Sequence, residues 1–452
     1  MSLPRYQEYR DSGERWLGTV PAHWDVHRLK NLFEIRKRIV GEEGHQVLSI
    51  TQNGIKIRDI ESNDGQLSMD YSKYQVVNPG DFAMNHMDLL TGFVDISMHA
   101  GVTSPDYRVF AIRDGILCEP KYFLYLLQNG YRQKIFYAFG QGASEFGRWR
   151  FPTDQFNDFR FPCPPHEEQI AIATFLDREI SKIDALIGEQ EKLIALLAEK
   201  RQATISRAVT KGLNANAPVK DSGVAWLGEV PAHWEIRRIK NVSLKISKGT
   251  TPTTIGRDFV DDGIRFLKAE NIVDGRVNRE PLNYIDEETH SLLGRSNLAA
   301  GDVLVVIAGA TTGKSAVLRE EFLPCNTNQA IAFVRPIDRS FSNSIQSWLS
   351  TVNVQERIKL TSVQSAQPNL SMEDLGNLYI PLAPCKEERA AIAAFLTAET
   401  TKLDTLRSEV ERTIGLLQER RSALIAAAVT GQIDVRSAVP QSSAESLEAI
   451  AA

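Results

Sequence analysis

Two stretches of the chain carry apolar residues at helical spacing for longer than an ordinary globular helix needs. In the first, Leu176, Ile180, Ile183, Ile187, Ile194 and Leu197 recur in steps of three, four or seven, with Gln190 at the one polar place. In the second, Leu396, Leu403, Val410, Leu417 and Leu424 recur in sevens. Pro162, Pro164 and Pro165 exclude helix before the first, Glu167 and Glu168 occupy its first turn, and Gly212 follows its end. Pro381, Pro384 and Glu387-Glu388 open the second in the same way. The pattern predicts long helices over 163–213 and 384–433, and because neither can hide its stripe alone, the two pack as a coiled coil. About 45 residues at 1.5 Å each span on the order of 70 Å, at most about 20 base pairs of duplex. Such a pair could act as a ruler between two modules, although helix evidence alone favours a dimerisation or structural stalk. An antiparallel pair sets the remaining blocks at opposite ends, a parallel pair at the same end.

Between the helical stretches the polar and apolar pattern breaks into short runs. The first block, 1–160, reads as strands at Val47–Ile50, Gln75–Val77 and Tyr107–Phe110, with turn residues at Asn78-Pro79-Gly80-Asp81. The second, 214–381, reads likewise at Arg265–Leu267, Asp302–Ile307 and Ala330–Val334. Each carries a later amphipathic stretch, near 119–137 and 341–360. Both are mixed α/β modules with much irregular loop, and 434–452 reads as an unstructured tail.

The blocks differ almost everywhere except at their openings. Ser12-Gly13-x-x-Trp16-Leu17-Gly18-x-Val20-Pro21-Ala22-His23-Trp24 returns as Ser222-Gly223-x-x-Trp226-Leu227-Gly228-x-Val230-Pro231-Ala232-His233-Trp234. Aromatic burial predicts that Trp16, Trp24, Trp226 and Trp234 lock each block onto a helix end, with His23 and His233 capping or hydrogen-bonding backbone there. One scaffold, written twice, holds two dissimilar inserts.

The 452 residues imply two to four units, and the repeat selects two pairs. No apolar run approaches the roughly 18 residues that would span a bilayer, and the first residues lack a signal-peptide core, so a cytoplasmic protein is expected. Four cysteines lie far apart without metal-ligand spacing and are expected to be buried thiols, with no metal site. A net charge of −5 counts modestly against nucleic-acid binding. Local clusters soften that objection: Arg28 to Arg38, their counterparts Arg237 to Lys248, and Arg148-Trp149-Arg150.

Catalytic signatures fail on inspection. A phosphate-binding loop ending in Gly313-Lys314-Ser315 needs glycine at 308, which is Ala308, with Gly309 one place too close. The glycines of Phe139-Gly140-Gln141-Gly142 are out of register for a methyltransferase loop, and Pro162-Cys163-Pro164-Pro165 lacks the Asn or Asp of a base-methylating motif. Side chains able to bond base edges are plentiful instead: Gln52-Asn53 with Lys56 and Arg58, Asn85-His86, Lys268 with Glu270-Asn271, Asn326, Asn328-Gln329, Gln364 and Gln367.

The paired W-L-G-x-V-P-x-H-W segments, the P-x-x-E-E-Q/R-x-x-I-A-x-F-L helix openings at Pro164–Leu176 and Pro384–Leu396, and Asn369-Leu370-Ser371 ahead of Ile380-Pro381-Leu382 together resemble the specificity subunit of type I restriction–modification systems. Gly249-Thr250-Thr251-Pro252 and Gly301-Asp302 through Gly309-Ala310-Thr311-Thr312-Gly313-Lys314 are also similar to that family. The first block departs from it, with Trp149-Arg150-Phe151-Pro152 where the second has Asn369-Leu370-Ser371. The resemblance implies an α+β fold: two mixed α/β target-recognition domains separated by an antiparallel coiled coil of two long helices, with an internal pseudo-twofold repeat. It implies that each domain reads half of an asymmetric, gapped double-stranded DNA site and that the helices dock two methyltransferase (M) subunits, which carry S-adenosylmethionine; motor–nuclease (R) subunits can join. This chain would then bind no cofactor and have no catalysis of its own. The expected DNA contacts are Gln52, Asn53, Lys56, Arg58, Asn85, His86, Arg148 and Arg150 in the first domain. In the second they are Lys248, Thr250, Thr251, Lys268, Asn271, Thr312, Lys314, Asn328, Gln364 and Gln367. A non-enzymatic coiled-coil scaffold for protein interactions is the alternative.

Overall fold

A computed structural model describes residues 3–60, 68, 70–142, 149–362 and 369–438. Two unbroken helices dominate the element order, His166–Lys211 and Lys386–Val429, each with two glutamates in its first turn. The chain divides into two compact units, Met1–Gln190 with Arg412–Ala452, and Glu191–Glu411. Each unit therefore owns the start of one long helix and the end of the other.

Within each unit the two helical segments run antiparallel. In unit 1, Leu176 shares a core with Ala428 and Val429, while further along Asp184 pairs with Arg421 at 3.1 Å. In unit 2, Arg201 pairs with Asp404 at 3.3 Å, while further along Ile205 and Val209 share a core with Leu396 and Ile392. As one helix advances, its partner's numbering falls.

The rest of each unit is built on one shared frame. In unit 1 a four-stranded antiparallel sheet has the order Phe33–Ile35, Arg108–Ile112, Phe82–Met84, Val94–Ile96. In unit 2 the same order is filled by Ser243–Lys248, Ile331–Pro336, Val303–Val306 and Ser315–Val317. A ribbon of Asp25–Arg28 with Arg160–Cys163 recurs as Glu235–Arg238 with Tyr379–Leu382. The helices foreseen after the strands are Pro120–Arg132 in unit 1, and Ser342–Leu349 with Val352–Ser362 in unit 2. What is inserted differs. Unit 1 adds the hairpin Leu48–Thr51 with Gly54–Ile57, whereas unit 2 adds a three-stranded sheet in which Ile264–Leu267 pairs parallel with Cys325–Thr327.

The cores differ in chemistry as well. That of unit 1 is aromatic, with Phe33, Phe82, Phe110, Phe123, Phe136, Phe151 and Phe156 all buried. That of unit 2 is aliphatic around Val303, Val305, Ala332 and Val334. A frame that tolerates both fillings is specified by pattern and volume rather than by particular side chains.

One polar feature is common to both. Gly80-Asp81 and Gly301-Asp302 enter the third strand of each sheet order, each glycine at positive φ. Each carboxylate accepts from the backbone three residues earlier, Asn78 N at 2.9 Å and Ala299 N at 2.8 Å. Guanidiniums complete them: Arg36 and Arg38 on Asp81, and a bidentate Arg335 on Asp302 at 2.8 and 2.7 Å.

Two expectations need correction. Residues 434–438, assigned by sequence to the tail, are folded: Val435 is fully buried and Asp434 N donates to Pro4 O at 2.8 Å. The burying partners lie at the far end of the sequence, so no local pattern announces them. Of the cysteines, Cys118, Cys163 and Cys325 are buried free thiols as expected, but Cys385 is exposed. Among the described residues no helix is long and apolar enough to cross a membrane.

Because the Asp302 side chain is only 1% exposed, Asp302→Ala leaves Arg335 without its carboxylate and is expected to destabilise unit 2 by about 3 kcal/mol, read from urea unfolding.

Candidate nucleic-acid interface

The repeated tryptophans divide the work of attachment. Trp16 stacks on Phe159 at 5.4 Å and Trp226 on Trp348 at 5.8 Å, so one tryptophan of each pair belongs to the module's own packing. The other faces the helices. Trp24 Nε1 donates to Glu168 Oε1 at 3.1 Å, and His23 Nε2 meets Glu168 Oε2 at 2.8 Å. In unit 2, Trp234 Nε1 donates to Glu388 Oε1 at 3.0 Å and His233 Nε2 meets Glu388 Oε2 at 2.9 Å. The histidines thus bond a carboxylate rather than the backbone expected from sequence, because each glutamate in a first helical turn presents two oxygens and the indole takes only one.

The same indoles touch the end of the other helix. A Cβ on Gly431 would lie 3.1 Å from Trp24 Cζ3, and one on Gly212 would lie 3.3 Å from Trp234 Cζ2; both glycines hold the positive φ of a helix C-terminus. One tryptophan therefore joins the start of one helix to the end of its neighbour. Unit 1 adds a third donor, Tyr6 Oη on Glu168, and burial together with that carboxylate pushes the Tyr6 phenol above its usual value. Unit 2 has no such tyrosine contact on Glu388 among the described residues, and the Glu388 side chain is 29% exposed against 5% for Glu168.

The lock leaves the module surfaces to do other work. In unit 2 five candidates gather at the end of Cys325–Thr327. Thr250 N donates to Thr327 O at 3.0 Å, Lys268 follows the strand paired with Thr327, and Asn328 extends that strand. Exposed Lys248 leads in through Gly249, where a Cβ would lie 1.8 Å from Thr327 O, so only glycine fits. Thr251 Oγ1 bonds Gln329, and the Lys268 ammonium sits 4.7 Å over the Phe259 ring while bonding Asn283 Oδ1 at 2.7 Å. Asn271 is different: it is 1% exposed, its Oδ1 accepts from Lys268 N and its Nδ2 donates to Asn278 O and Pro281 O. That amide closes its own turn.

Thr312 and Lys314 lie on the turn between Val303–Val306 and Ser315–Val317. A strand follows the lysine, not the helix a phosphate-binding loop requires, and Gly313 N is engaged by Val306 O. Thr312 Oγ1 donates to Gly309 O at 2.7 Å. Exposed Lys314 borders a cleft of about 310 Å³ with Arg201, Arg276 and Gln355.

In unit 1 the candidates fall on two elements. Gln52 and Asn53 cap the hairpin closed by Gly54 and border a hollow with Arg132 and Arg421, while Lys56 and Arg58 follow on its second strand and just beyond it. Asn85 and His86 follow Phe82–Met84; Asn85 Oδ1 accepts from Met87 N at 3.3 Å, and the His86 carbonyl accepts from Phe151 N at 2.8 Å. That bond brings exposed Arg150 beside them. Arg148, Gln364 and Gln367 lie outside the described residues.

Sequence reasoning missed Arg108. It lies beneath the Asn85–His86 segment and is 3% exposed; its Nη2 donates to Phe151 O at 3.0 Å and Thr153 Oγ1 at 3.2 Å, and its guanidinium stands 4.5 Å over Phe156. A charge at an inward position of an otherwise apolar strand was the available signal. The departure at Trp149–Pro152 keeps one contact and changes others. Phe151 and Leu370 are both buried, each donating its amide to the strand end of the sheet, at His86 and Ile307, whereas Arg150 bridges Gln141 where Asn369 bridges Ala308, and the helix cap changes from Ser371 to Pro152.

The chain thus comprises two copies of one frame holding unlike inserts. A family description, the type I restriction modification DNA specificity domain, matches residues 21–195 and again 231–412. The chain belongs to that family of type I restriction–modification specificity subunits. It is 24% identical over 442 residues to a putative type I restriction enzyme MjaX specificity subunit of Methanocaldococcus jannaschii, covering 93% of this chain and 96% of that one. It is 26% identical to the EcoBI specificity subunit of Escherichia coli, over 61% of this chain and 59% of that one. The fold is similar to that of the HsdS subunit from Thermoanaerobacter tengcongensis, with a TM-score of 0.50 at 16% identity over 92% and 98% of the two chains. A chain solved in a study of assembly and conformational transition of the type I R-M system matches at a TM-score of 0.63 and 17% identity, over 91% and 98%.

Two outcomes follow for the site. Glu168→Ala strands three donors, two of them buried, and is expected to destabilise the helix junction of unit 1 by about 2–3 kcal/mol, with Glu388→Ala roughly half as severe; native-state hydrogen exchange at Trp24 and Trp234 reads both. Burial, then Arg108 and Arg150, push the His86 imidazole down to about 3, whereas an unfolded histidine protonates at about 6.5. The unfolded state therefore binds more protons in that window, and the stability present above it declines as pH falls through it. His86→Leu is expected to flatten that decline, measured as urea midpoints at about pH 7 and about pH 5.

Proposed function

We propose that each unit's module reads one half of an asymmetric, gapped double-stranded DNA site, and that the long helices set the gap. On this reading the helices also dock two methyltransferase subunits that carry S-adenosylmethionine and methylate adenine. A motor–nuclease subunit joins the same assembly when restriction follows, and this chain contributes recognition without catalysis. The observation that carries the reading is one frame built twice, down to its sheet order and its tryptophan–glutamate lock, holding two unlike inserts. Duplication of a frame with divergence of its inserts suits inspection of two different half-sites; a catalytic dimer would keep its inserts alike.

The near-neutral charge fits if the partners share the phosphate contacts that dominate affinity for DNA. The clustering of Lys248, Thr250, Thr251, Lys268 and Asn328 provides donors and acceptors suited to base edges and phosphates. These five make the stronger candidate surface in unit 2, and Asn271 supports it from behind.

Long-read sequencing of the host genome tests the reading. A two-part adenine-methylation motif is expected to vanish on deletion of the gene, and replacing 249–335 with the corresponding insert of a relative is expected to change one half of the motif and leave the other. Methylation that is unchanged by deletion would support a protein-interaction scaffold instead.

A further inference from the structure

The internal repeat allows a comparison no single domain permits, the same fold position filled by two chemistries. Strand register fixes the correspondence. Arg108 pairs with Met84 as Ala332 pairs with Val305, and the His86 carbonyl accepts from Phe151 N as the Ile307 carbonyl accepts from Leu370 N. Where unit 1 has Arg108 and His86, unit 2 has Ala332 and Ile307, both buried and apolar. The frame closes without a cation at that place.

Burying a guanidinium without a carboxylate is expensive. No ion pair joins Arg108 to an acidic side chain among the described residues, whereas the partly exposed Arg38 and Arg335 are each paired with a buried carboxylate of the frame, Asp81 and Asp302. Two polar atoms remain unused: Arg108 Nη1 and His86 Nδ1 are buried and have no hydrogen-bond partner among the described residues, and both residues bond the backbone of Phe151, Arg108 at its carbonyl and His86 at its amide. Arg150, exposed at the surface, acts on His86 together with Arg108. Three basic groups therefore gather around the Phe151 backbone, with no counter-charge paired to them among the described residues.

We propose that His86, Arg108 and Arg150 form an anion subsite peculiar to unit 1, whose occupant is a phosphodiester group of bound nucleic acid. This deepens the DNA-reading function and rests on it. Arg150 meets the phosphate first, and the neutral imidazole and buried guanidinium complete its coordination after a small shift of the Asn85–His86 segment. Phosphate contacts position a reader without selecting sequence, so the subsite would anchor the first module while unit 2, lacking it, relies on other contacts.

The probe is a random-sequence duplex of about 30 base pairs, with the full chain titrated at several salt concentrations. Arg108→Met is expected to weaken binding about tenfold at low salt and to reduce the slope of log affinity against log salt by about 0.9, one phosphate's worth. Arg108→Lys is expected to retain the slope, and the duplex-induced rise in thermal midpoint is expected to shrink in the methionine variant alone. Should Arg108→Met fail to fold, Arg150→Ala at the surface carries the same slope test. A folded Arg108→Met chain with the wild-type slope and affinity overturns the subsite and leaves the DNA-reading function standing. A wild-type chain that binds no duplex overturns the subsite, while the DNA-reading function is judged separately by the methylation motif.

Discussion

The structure depends on a carboxylate held between an indole and an imidazole. Glu168 and Glu388 each stand in the first turn of a long helix, where the helix dipole favours negative charge, and each accepts from the tryptophan and histidine of a repeated segment. The same tryptophan lies against the glycine that ends the opposite helix. Three separate stretches of chain are thereby fixed by one polar cluster, and everything inserted between them is free to diverge. Substitution in the inserts leaves that cluster untouched, which is the physical condition for recognition surfaces to change while the attachment persists.

Much of this was legible in the sequence because it rests on local or repeated signals. The long helices were bounded by Pro162, Gly212 and the paired glutamates, and they form at His166–Lys211 and Lys386–Val429. The strands at Gln75–Val77 and Val303–Val306 fell inside predicted runs because alternation and turn residues are short-range. Trp24 and Trp234 were placed at the helix ends because two indoles and a proline that return in one register 210 positions apart mark a shared point of attachment, but Trp16 and Trp226, expected there too, stack within their own modules. What escaped depends on distant partners. Glu168 reads only as a favourable first-turn residue until His23, Trp24 and Tyr6 converge on it. Asn271 reads as a base contact by composition, and only its burial and three bonds within 268–281 show it closing a turn.

The two sheets also show how loosely a frame constrains its filling. Stacked phenylalanines in unit 1 and packed valines in unit 2 satisfy the same strand order, while the Gly-Asp turn recurs in both, its carboxylate met by guanidiniums from different strand positions. Apolar positions tolerate exchange when volume is conserved across the set; a buried carboxylate does not, because its loss leaves a charge and several donors unmatched. The Gly-Asp turn and its carboxylate therefore persist in both units while the apolar filling changes.

The direction of the long helices illustrates the same division. Their apolar seams repeat in sevens and would pack in either direction. The charges would not. Arg421 and Asp404 stand 220 positions after Arg201 and Asp184, just as Glu388 stands 220 after Glu168. A parallel pairing of equivalent positions would set Asp184 against Asp404 and Arg201 against Arg421. The antiparallel pairing within each unit sets Asp184 on Arg421 and Arg201 on Asp404. Each pair is partly exposed and contributes at most about 1 kcal/mol, too little to hold the helices together. The difference between two attractions and two repulsions is larger than either pair alone, and it favours the same antiparallel orientation that each tryptophan imposes by joining the start of one helix to the end of its neighbour.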